Sequence, residues 1–593
     1  MEMSTHLEDL RARQAQLRPS RTPSEVRYPL GETTLPAHLS TWAEQVPDRP
    51  AIVFEGAEVN YRELDVLVRR TAGWLRDEAG VGAGDRVAVL MPNRPHFTVV
   101  MLAALTLGAV HVPVNPMFRE AELAHELEDA DPRVVVALEP LLPLLREARP
   151  SAPGRSVLVL GEDEQVDHPR TGTAVPLQEG EHPWSAAVAH TPIAPDDPSV
   201  SRDLDALAAL NYTGGTTGLP KGCMHTQRHM LYTAAACAGA TGRTGGAVVL
   251  CYVPIFWIAG EDLGILLPLV TGGTVVLLPR WDAGRALAAI DRHRVSVMVG
   301  TVENYLELLD HPDLGSHDLS SLTDPSAMSF VRKLDPQIRA RWSAEVGSGS
   351  VLREAAYGLT ESHTFDATPY GLADGDRDLR SEPVFCGLPV PGTDVAVVSF
   401  ETGEPLPIGT EGEIVLRSPS VMTGYWNRPD ATARQLRDGW LHTGDNGRMD
   451  EDGCLHYLGR DKDLIKVKGM SVFPAEVEVL LGRHPGVDSV AVVAAQDPDS
   501  GQRPVAFVTP AVNPAGPPIG TPAGTPEAGA APTAEELTAW ARENMALYKV
   551  PIVEVVDAFP VTATGKVRKV DLTERAEEAA ARDRDRRRGR AGW

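Results

Sequence analysis

Up to about residue 385 the chain alternates short runs of β-branched residues with longer helical patterns. Gly and Pro bound the runs, which read VHVPVNP, RVVVAL, SVLVLG, GAVVLCYVP and GGTVVLLP. Short apolar runs of this kind are typical of strands that are buried on both faces of a parallel sheet. Helical patterns such as AGRALAAIDRHRV separate several of them. The alternation predicts an α/β fold with largely parallel sheets.

Near residue 385 this alternation stops, and three strand-like runs lie close together without helices between them. These runs are TDVAVVS, EGEIVLRS and CLHYLGR, and they predict a small antiparallel β subdomain. A second break falls at GRDKDLIKVKGMSVFPAEVE, which precedes a compact mixture of strand patterns and the helical TAEELTAWAREN. We therefore predict a large N-terminal domain over residues 1–459, a hinge at 460–463 and a small α+β C-terminal domain over 464–575.

Two segments have compositions that do not predict a packed structure. Residues from about 512 to 532, NPAGPPIGTPAGTPEAGAAP, are almost free of bulky side chains. Such a segment buries too little apolar surface to offset the entropy of ordering it, so it is predicted to be a flexible insertion. The last residues, 576–593, end in RDRDRRRGRAGW and are predicted to form a solvated, charged tail.

Charge and length exclude several classes of protein. The chain has 593 residues and a net charge of −25, so it is too long for one compact core and too acidic to bind nucleic acid or anionic membrane as its main partner. The apolar stretch FTVVMLAALTLGAVHVPV ends in His and Pro, which favours a buried helix running into a strand over a membrane span.

The cysteines and the N-terminus indicate a reducing compartment. The five cysteines are scattered without a CxxC spacing, so neither a zinc site nor a disulfide framework is expected. The charged start MEMSTHLEDLRARQ is helical in character and is not a signal peptide. These features predict a cytoplasmic protein. The expected oligomeric state is a monomer or a homodimer.

A glycine-rich loop, YTGGTTGLPKG at residues 212–222, has the composition of a polyphosphate site. Its glycines allow successive backbone N–H groups to form an anion-binding concavity, the threonines add donors, and Lys221 adds a point charge. The loop is not the GxxxxGK[ST] loop of an NTPase, because Lys221 is followed by Gly222 and not by Ser or Thr.

Five motifs together resemble the adenylate-forming superfamily, which contains acyl-CoA synthetases, peptide-synthetase adenylation domains and beetle luciferases. The glycine-rich loop is followed in order by four further segments: YGLTE (357–361), HTGDNGRMDEDGCLHYLGR (442–460), VKGMSVFPAEVE (467–478) and VTATGKVRK (561–569). The resemblance extends from about residue 30 to about 572. It implies a large adenylate-forming domain, a mobile C-terminal domain, and the activation of a carboxylate by ATP to give an acyl-adenylate and pyrophosphate.

The resemblance also implies roles for individual residues of a nucleotide site. Thr360 would bind an α-phosphate oxygen, Glu361 would hold Mg²⁺, and Asp445, reinforced by Arg460, would accept the ribose hydroxyls. Tyr357 would pack on the adenine ring. The other expected nucleotide contacts are Thr213, Gly214, Gly215, Thr216, Thr217, Lys221, Ala356 and Gly358, with Thr213 also expected to assist catalysis.

Lys566, in the TGK of the last motif, would neutralise the incoming carboxylate and the α-phosphate together. It belongs to the C-terminal domain, so that domain would have to close for the first half-reaction. In the second half-reaction the domain would pivot at Lys462, and the segment containing Gly469 would face the channel for the pantetheine thiol of CoA. The resemblance therefore implies ATP, Mg²⁺ and CoA as cofactors.

The expected acid pocket departs from the common pattern at one position. VPIFWIAG has Trp257 where many members of the superfamily have His, and this puts fatty acyl specificity in doubt. His363 and Asp366, together with Glu303 and Asn304, are either substrate contacts or capping and surface residues. The side chains expected to line the pocket are Trp257, Val302, Ser326, Ala327, Met328, Leu359 and His363, with Gly358 beside them.

Several functions are compatible with these motifs. The first is a CoA ligase acting on an aromatic or medium-sized carboxylic acid. The alternative is an ATP-dependent diazotase, which would activate nitrite as an AMP anhydride and transfer it to an aryl amine without CoA. A degenerate relative is disfavoured by the intact Lys566, Thr360, Glu361 and Asp445. An aminoacyl-tRNA synthetase is disfavoured by the acidic charge, and a peptide-synthetase module by the missing GGxS motif.

Overall fold

The computed structural model describes residues 2–591 except for positions 21, 149–154, 170–172, 214–219, 244, 329–333, 335, 381–383, 461–464, 473, 483, 511–531 and 561–568. The described chain forms two compact units. The larger comprises Met1–Pro116, Glu126–Tyr212 and Gly222–Asp461, and the smaller comprises Met117–His125, Thr213–Lys221 and Lys462–Trp593. The flexible insertion predicted at about 512–532 lies almost entirely outside the described residues.

One sheet of the fold has seven strands, and its central strands are parallel. Strand Arg86–Leu90 pairs in register with Val110–Val114 on one side and Val134–Leu138 on the other. Their side chains are buried on both faces, as the β-branched runs predicted. In spatial order the strands are Glu181–Pro183, Ser156–Leu160, Val134–Leu138, Arg86–Leu90, Val110–Val114, Leu207–Thr213 and Lys221–Thr226.

A second seven-stranded sheet is parallel except at one edge. There, strands Pro50–Phe54 and Ala57–Asn60 form an antiparallel hairpin. Helix Pro95–Thr106 is buried along its whole length because it is apolar on every side. In spatial order the strands are Arg353–Glu354, Asp324–Met328, Val297–Thr301, Val248–Cys251, Thr274–Leu277, Pro50–Phe54 and Ala57–Asn60.

The third sheet is antiparallel, as the closely spaced runs after residue 385 predicted. The N-terminal helix Met3–Leu17 covers part of it, with Leu7 packed against Val415 and Trp440 and Arg11 bonded to Asp394. In spatial order the strands are Ala367–Thr368, Val384–Pro389, Leu455–Arg460, Trp440–Met449, Gly412–Arg417 and Asp394–Val398, with Leu436–Arg437 paired to Trp440–Met449.

Helices connect the strands of the two parallel sheets and flank the third. Several begin after a residue that caps the first turn; Asn60, for example, caps Tyr61–Asp77 in a capping box with Glu63. Together with Met3–Leu17 and Pro95–Thr106, the helices before Lys462 are Leu35–Gln45, Tyr61–Asp77, Glu120–Ala130, Leu142–Ala148, Trp184–Val188, Gln227–Thr241, Ile258–Glu261, Leu267–Thr271, Ala283–His293, Val302–Leu309, Pro336–Val346, Arg377–Arg380 and Pro429–Gln435, with a π-helical segment Asp262–Leu266. No helix in the described part of the chain is long and apolar enough to cross a membrane.

The C-terminal segment has its own sheet, in which strands Val487–Asp497 and Gly501–Pro510 form a long antiparallel hairpin. Thr533 caps helix Ala534–Asn544 and forms a capping box with Glu536. The remaining strands are Ile465–Val467, Met470–Val472 and Ile552–Val555, and the remaining helices are Pro474–Leu481 and Thr573–Ala591. Together with the three sheets above, this mixed α/β architecture confirms the predicted fold class.

The end of the chain differs from the solvated tail that the sequence predicted. Residues Thr573–Ala591 form a helix, and Ala576, Ala579 and Ala580 pack with Phe507 in the core of the C-terminal segment. The spacing of the three alanines places them on one helical face. The charged residues between them dominate the composition, which is why the sequence suggested a tail.

Replacing Ala579 with Asp is expected to lower the stability of the smaller unit by about 1–3 kcal/mol, because it buries a carboxylate that has no partner. Ala579 is only 1% exposed. The measurement is hydrogen exchange of the hairpin Val487–Asp497 and Gly501–Pro510. Glu578→Asp, at a neighbouring exposed position, is the control. Equal protection in the two variants would mean that this helix is not part of the core.

Candidate active site

The YGLTE segment forms a tight turn with an unusual backbone. Thr360–Ser362 is a single turn of 3-10 helix, followed by two residues with positive φ, His363 at 57° and Thr364 at 76°. For a β-branched residue such as Thr364 this conformation is strained, and strain of this kind occurs mainly at functional sites. Gly358 is required here, because a Cβ atom would lie 1.7 Å from the Thr364 carbonyl oxygen.

Glu361 is buried beside the turn and is held at one oxygen. The Tyr425 hydroxyl donates to its Oε1 at 2.7 Å, and the Met422 backbone N–H donates to its carbonyl oxygen at 2.8 Å. Among the described residues, none donates a hydrogen bond to Oε2. The side chain is therefore held through Oε1.

This arrangement fits the expected magnesium ion. Mg²⁺ is usually bound by one or two carboxylates together with phosphate oxygens and water, and not by a cage of protein ligands. In the described part of the chain, no group of three or more His, Cys, Asp or Glu side chains is arranged to hold a metal. Glu361 would hold the ion with Oε2, and the ion would neutralise phosphate charge when bound.

Asp445 lies in strand Trp440–Met449 and is 5% exposed. The Tyr357 hydroxyl donates to its Oδ2 at 2.8 Å. Burial first, and then the neighbouring carboxylate, raise the pKa of Tyr357 well above its usual range, so this phenol stays a donor. Arg460 lies directly opposite Asp445 across two antiparallel strands, where the sequence analysis expected both residues to bind the ribose.

The glycine-rich loop connects two strands. Leu207–Thr213 leads into it, and Lys221–Thr226 follows it. Thr226 ends this second strand and caps the following helix, Gln227–Thr241. At the loop entrance the Tyr212 hydroxyl donates to Asp129 Oδ2 at 2.8 Å.

Several expected functional residues lie outside the described part of the chain, and their roles stay predictions. Thr213 and Lys221 are described, and both are partly buried. Ala356 is also partly buried and precedes Tyr357 at the turn. The positions outside the described residues are Gly214, Gly215, Thr216, Thr217, Lys462 and Lys566.

Gly469 has a local structural role that the sequence analysis did not identify. Lys468 and Gly469 have φ values of 50° and 81° and connect the paired strands Ile465–Val467 and Met470–Val472. A two-residue hairpin with positive φ at both positions favours glycine. This turn is sufficient reason for the glycine, and its place beside a thiol channel stays a prediction.

The residues expected to line the acid pocket divide between two environments. Val302 and Ala327 are fully buried and pack in a core cluster with Trp342. Trp257 and Met328 are partly buried and contact a different core cluster. Ser326 is also buried, and Leu359 is partly buried next to the turn. Trp257 and Met328 are thus the better placed of these residues to meet a ligand, and contact between any of them and a substrate stays a prediction.

Asn304 acts as a helix cap. Its Oδ1 accepts a hydrogen bond from the Thr301 backbone N–H at 2.8 Å, and its own N–H donates to the Thr301 hydroxyl. This capping box begins helix Val302–Leu309. Of the two roles that the sequence left open for Asn304, the structure shows the capping role.

A group of buried polar side chains next to the turn was largely missed by the sequence analysis. His363 was expected there, but His225, Glu261 and Asn211 were not, and they come from three other segments of the chain. Nε2 of His225 lies 2.8 Å from the Thr360 carbonyl oxygen, and Asn211 Nδ2 donates to Glu261 Oε2 at 3.0 Å. Burial raises the pKa of Glu261 to about 8 and lowers the pKa of His225 well below its usual value.

Asp366 is part of the same region. It is fully buried, and the Ser362 hydroxyl bonds its Oδ2. Burial raises the pKa of Asp366 to about 8. Asp366 is thus neither a cap nor a surface residue; it is a buried polar group under the turn.

Two family models match the chain. The model described as AMP-binding enzyme matches residues 39–426, and the model described as AMP-binding enzyme C-terminal domain matches residues 476–566. The first match alone spans more than half of the chain and contains the glycine-rich loop and the YGLTE turn.

Curated and solved relatives cover nearly the whole chain. A feruloyl-CoA synthase from Amycolatopsis sp is 34% identical, with 91% of this chain and 99% of that protein covered. A long-chain-fatty-acid–CoA ligase from Bacillus subtilis (strain 168) is 32% identical, with 94% and 97% covered. Among solved structures, the amide bond synthetase McbA from Marinactinospora thermotolerans is 30% identical, covers 91% of this chain and 99% of its own, and has a TM-score of 0.73.

Proposed function

Because the chain belongs to the AMP-binding enzyme family and is of the AMP-forming acid–CoA ligase type, we propose that it activates an aromatic or medium-sized carboxylic acid and transfers it to CoA. The observation that carries this proposal is the pair of buried carboxylate side chains, Glu361 and Asp445, close to the Thr360 turn. Tyr425 holds Glu361 and Tyr357 holds Asp445, in the positions where a metal ion and a ribose would be bound.

In the first half-reaction, the substrate carboxylate attacks the α-phosphorus of ATP, and pyrophosphate leaves. Negative charge develops on the phosphoryl oxygens, so fixed donors and cations directed at them stabilise the transition state. Thr360 would supply such a donor from a turn whose backbone is already constrained. Glu361 would hold Mg²⁺ and Asp445 would hold the ribose, so that the nucleotide is oriented before the reaction.

The expected acid is not a long aliphatic chain. The two relatives differ on this point, since one is named for an aromatic acid and the other for fatty acids. In this chain, His225, Glu261 and His363 are fully buried next to Thr360, which binds the reacting phosphate in this proposal. An alkyl chain that packed against these groups would leave their remaining polar atoms, such as His225 Nδ1 and Glu261 Oε1, without hydrogen bonds, at a cost of about 1–3 kcal/mol each.

In the second half-reaction, the thiol of CoA attacks the carbonyl carbon of the acyl-adenylate, and AMP leaves. The proposed pivot is Lys462, and the proposed thiol channel lies beside Gly469. Rotation about one or a few residues is a common way for a domain to change its orientation between two reaction steps.

Replacing Lys462 with proline is expected to leave adenylate formation largely intact and to slow thioester formation by about tenfold or more, a barrier increase of ~1.4 kcal/mol. Proline fixes φ and so resists the backbone rotation that the second step needs. The measurement compares pyrophosphate release and acyl-CoA formation in the parent and the variant. An equal decrease in both steps would show that Lys462 is not a pivot.

A second candidate function also forms the adenylate, but an amine then attacks it, so that the activated group is transferred to the amine and AMP leaves. The relative that favours this function is the amide bond synthetase, at 30% identity. The diazotase considered from the sequence would also transfer an activated group to an amine. The distinguishing experiment measures AMP and product with a panel of carboxylic acids and nitrite, with and without CoA, and with an aryl amine. Product from nitrite and an aryl amine in the absence of CoA would overturn the CoA ligase proposal.

A further inference from the structure

Four buried side chains next to the Thr360 turn contain atoms with no hydrogen-bonding partner among the residues that the structure describes. Asn211, His225, Glu261 and His363 are each at most 3% exposed. Neighbouring members are close, since the rings of His225 and His363 are 4.8 Å apart and His363 Nε2 is 3.7 Å from Glu261 Oε1. We call these four side chains the buried acceptor cluster.

The hydrogen bond of His225 determines what its ring can still accept. Nε2 lies 2.8 Å from the Thr360 carbonyl oxygen, and a carbonyl only accepts, so Nε2 carries the proton. Burial lowers the pKa of this imidazole well below its usual value, so Nδ1 is unprotonated. Nδ1 is buried and has no partner among the described residues. It is therefore an unused acceptor.

The other three side chains add further acceptors. Asn211 donates through Nδ2 to Glu261 Oε2 at 3.0 Å, which leaves Asn211 Oδ1 and Glu261 Oε1 without partners in the described chain. Neither ring nitrogen of His363 has a partner there, and the distance of 3.7 Å to Glu261 is longer than a hydrogen bond. A neutral His363 offers one donor and one acceptor.

Among the atoms of the buried acceptor cluster that have no partner in the described chain, acceptors outnumber donors. At neutral pH Glu261 is protonated, since burial raises its pKa to about 8, and Oε1 carries the proton because Oε2 accepts from Asn211. The free acceptors are then His225 Nδ1, Asn211 Oδ1 and one nitrogen of His363, against two donors, the Glu261 O–H and one N–H of His363. Buried polar atoms are almost always hydrogen-bonded, and each exception needs an explanation. A group that carries N–H or O–H donors is the complement of this cluster.

We propose that the buried acceptor cluster binds an amino or hydroxyl substituent of the acid substrate, so that the enzyme acts on an aromatic carboxylic acid carrying such a hydrogen-bond donor. This inference rests on the proposed function and names its substrate class. The cluster is joined through His225 to the carbonyl of Thr360, the residue proposed to bind the α-phosphate. It is therefore connected to the place where the acid carboxylate would react.

The donor group is expected to be uncharged. Burial raises the pKa of Glu261 to about 8, so at neutral pH the carboxyl holds a proton and the four side chains carry no net charge. An aryl amine or phenol is also uncharged at this pH and can donate without bringing a cation into the core. An aliphatic ammonium group would require Glu261 to ionise and would carry the cost of burying charge.

Two backbone irregularities flank the cluster and support a role beyond packing. His363 and Thr364 both have positive φ, and this turn directs the His363 side chain into the core. A π-helical segment, Asp262–Leu266, begins immediately after Glu261. Single turns of π-helix and strained non-glycine residues are both enriched at functional sites.

The first test compares acids of equal size that differ only in the donor. Pyrophosphate release is measured with ATP and 3- or 4-aminobenzoate, the matching methylbenzoate, and benzoate. We expect kcat/KM for an aminobenzoate to exceed that for its methyl analogue by about 10- to 100-fold, since a buried acceptor is otherwise left unpaired. Equal use of both acids would overturn the inference and leave the proposed function intact. No AMP formation with any carboxylic acid would instead overturn the proposed function.

The second test changes the cluster itself. In the double variant Asn211→Leu, Glu261→Leu, two side chains that bond to each other are replaced together by apolar ones of similar size. Such a replacement is often close to neutral for stability. The preference for aminobenzoate over methylbenzoate is expected to fall at least tenfold, with no decrease in melting temperature. An unchanged preference would mean that the cluster is a buried, hydrated part of the core and would overturn the inference.

His111→Leu provides a matched control. His111 is also fully buried, with no hydrogen bond to either ring nitrogen in the described chain, but it lies in strand Val110–Val114 against Phe97. Its replacement is expected to leave the acid preference unchanged. A final arm supplies benzoate together with aniline and no CoA. If the anilide forms and aminobenzoate is not preferred over methylbenzoate, the cluster would be assigned to a separate amine substrate. That result would overturn its assignment to the acid.

Discussion

Replacing Lys566 with alanine is expected to lower adenylate formation by roughly 10³-fold or more. In this proposal the lysine meets two negative groups at once, the attacking carboxylate and the α-phosphate. Removing one preorganised donor from a site of developing charge already costs about 10²–10³-fold, and Lys566 also brings the two reactants together. The measurement is pyrophosphate release with a saturating acid.

The same variant is expected to form thioester at the parental rate when it is supplied with acyl-adenylate and CoA, because Lys566 is needed only in the first half-reaction. Lys569→Ala is the matched control. Lys569 lies three residues further along the chain and pairs with Glu478 at 2.7 Å, partly exposed to solvent, where an ion pair contributes about 0–1 kcal/mol. Equal losses in both half-reactions for Lys566→Ala would contradict the assigned role.

Much of the fold could be predicted because its signals are local, and the residues proposed for the nucleotide site were chosen from motifs that are equally local. The β-branched runs between Gly and Pro predicted strands such as Val134–Leu138 and Thr274–Leu277, because a strand buried on both faces needs apolar residues at successive positions. The YGLTE and HTGD motifs likewise lie within short segments. The Tyr357–Asp445 and Tyr425–Glu361 bonds that join such segments are long-range, and no local pattern predicts them.

The buried acceptor cluster could not be predicted for a related reason. Asn211, His225, Glu261 and His363 come from four separated segments, and each is unremarkable in its own sequence context. A histidine in a strand or a glutamate in a helix is usually exposed or capped, so only the tertiary structure reveals that these four are buried together. The Thr573–Ala591 helix was also not predicted, because charged residues dominate its composition while only three alanines form its buried face.

Replacing Asp445 with alanine is expected to weaken ATP binding by about 2–4 kcal/mol, because a pair of charge-assisted hydrogen bonds to the ribose hydroxyls is lost. Asp445 is buried and its Oδ2 already accepts from Tyr357 at 2.8 Å, so the carboxylate is fixed before the nucleotide arrives. Tyr357→Phe keeps the ring and removes only this donor, and it is expected to cost about 0.5–1.5 kcal/mol. Nucleotide titrations of the three proteins measure both effects.

Deoxynucleotides make this prediction specific to the ribose. If Asp445 binds the ribose hydroxyls, the parent binds ATP more tightly than 2′-deoxy-ATP or 3′-deoxy-ATP, and Asp445→Ala binds all three with similar affinity. The two changes remove the same contact, so their costs do not add. A variant that retains the full preference for ATP would show that Asp445 only supports the turn around Gly444 and Tyr357. A loss of affinity without a loss of preference would point to the same structural role, because a general weakening of the site affects ribose and deoxyribose alike.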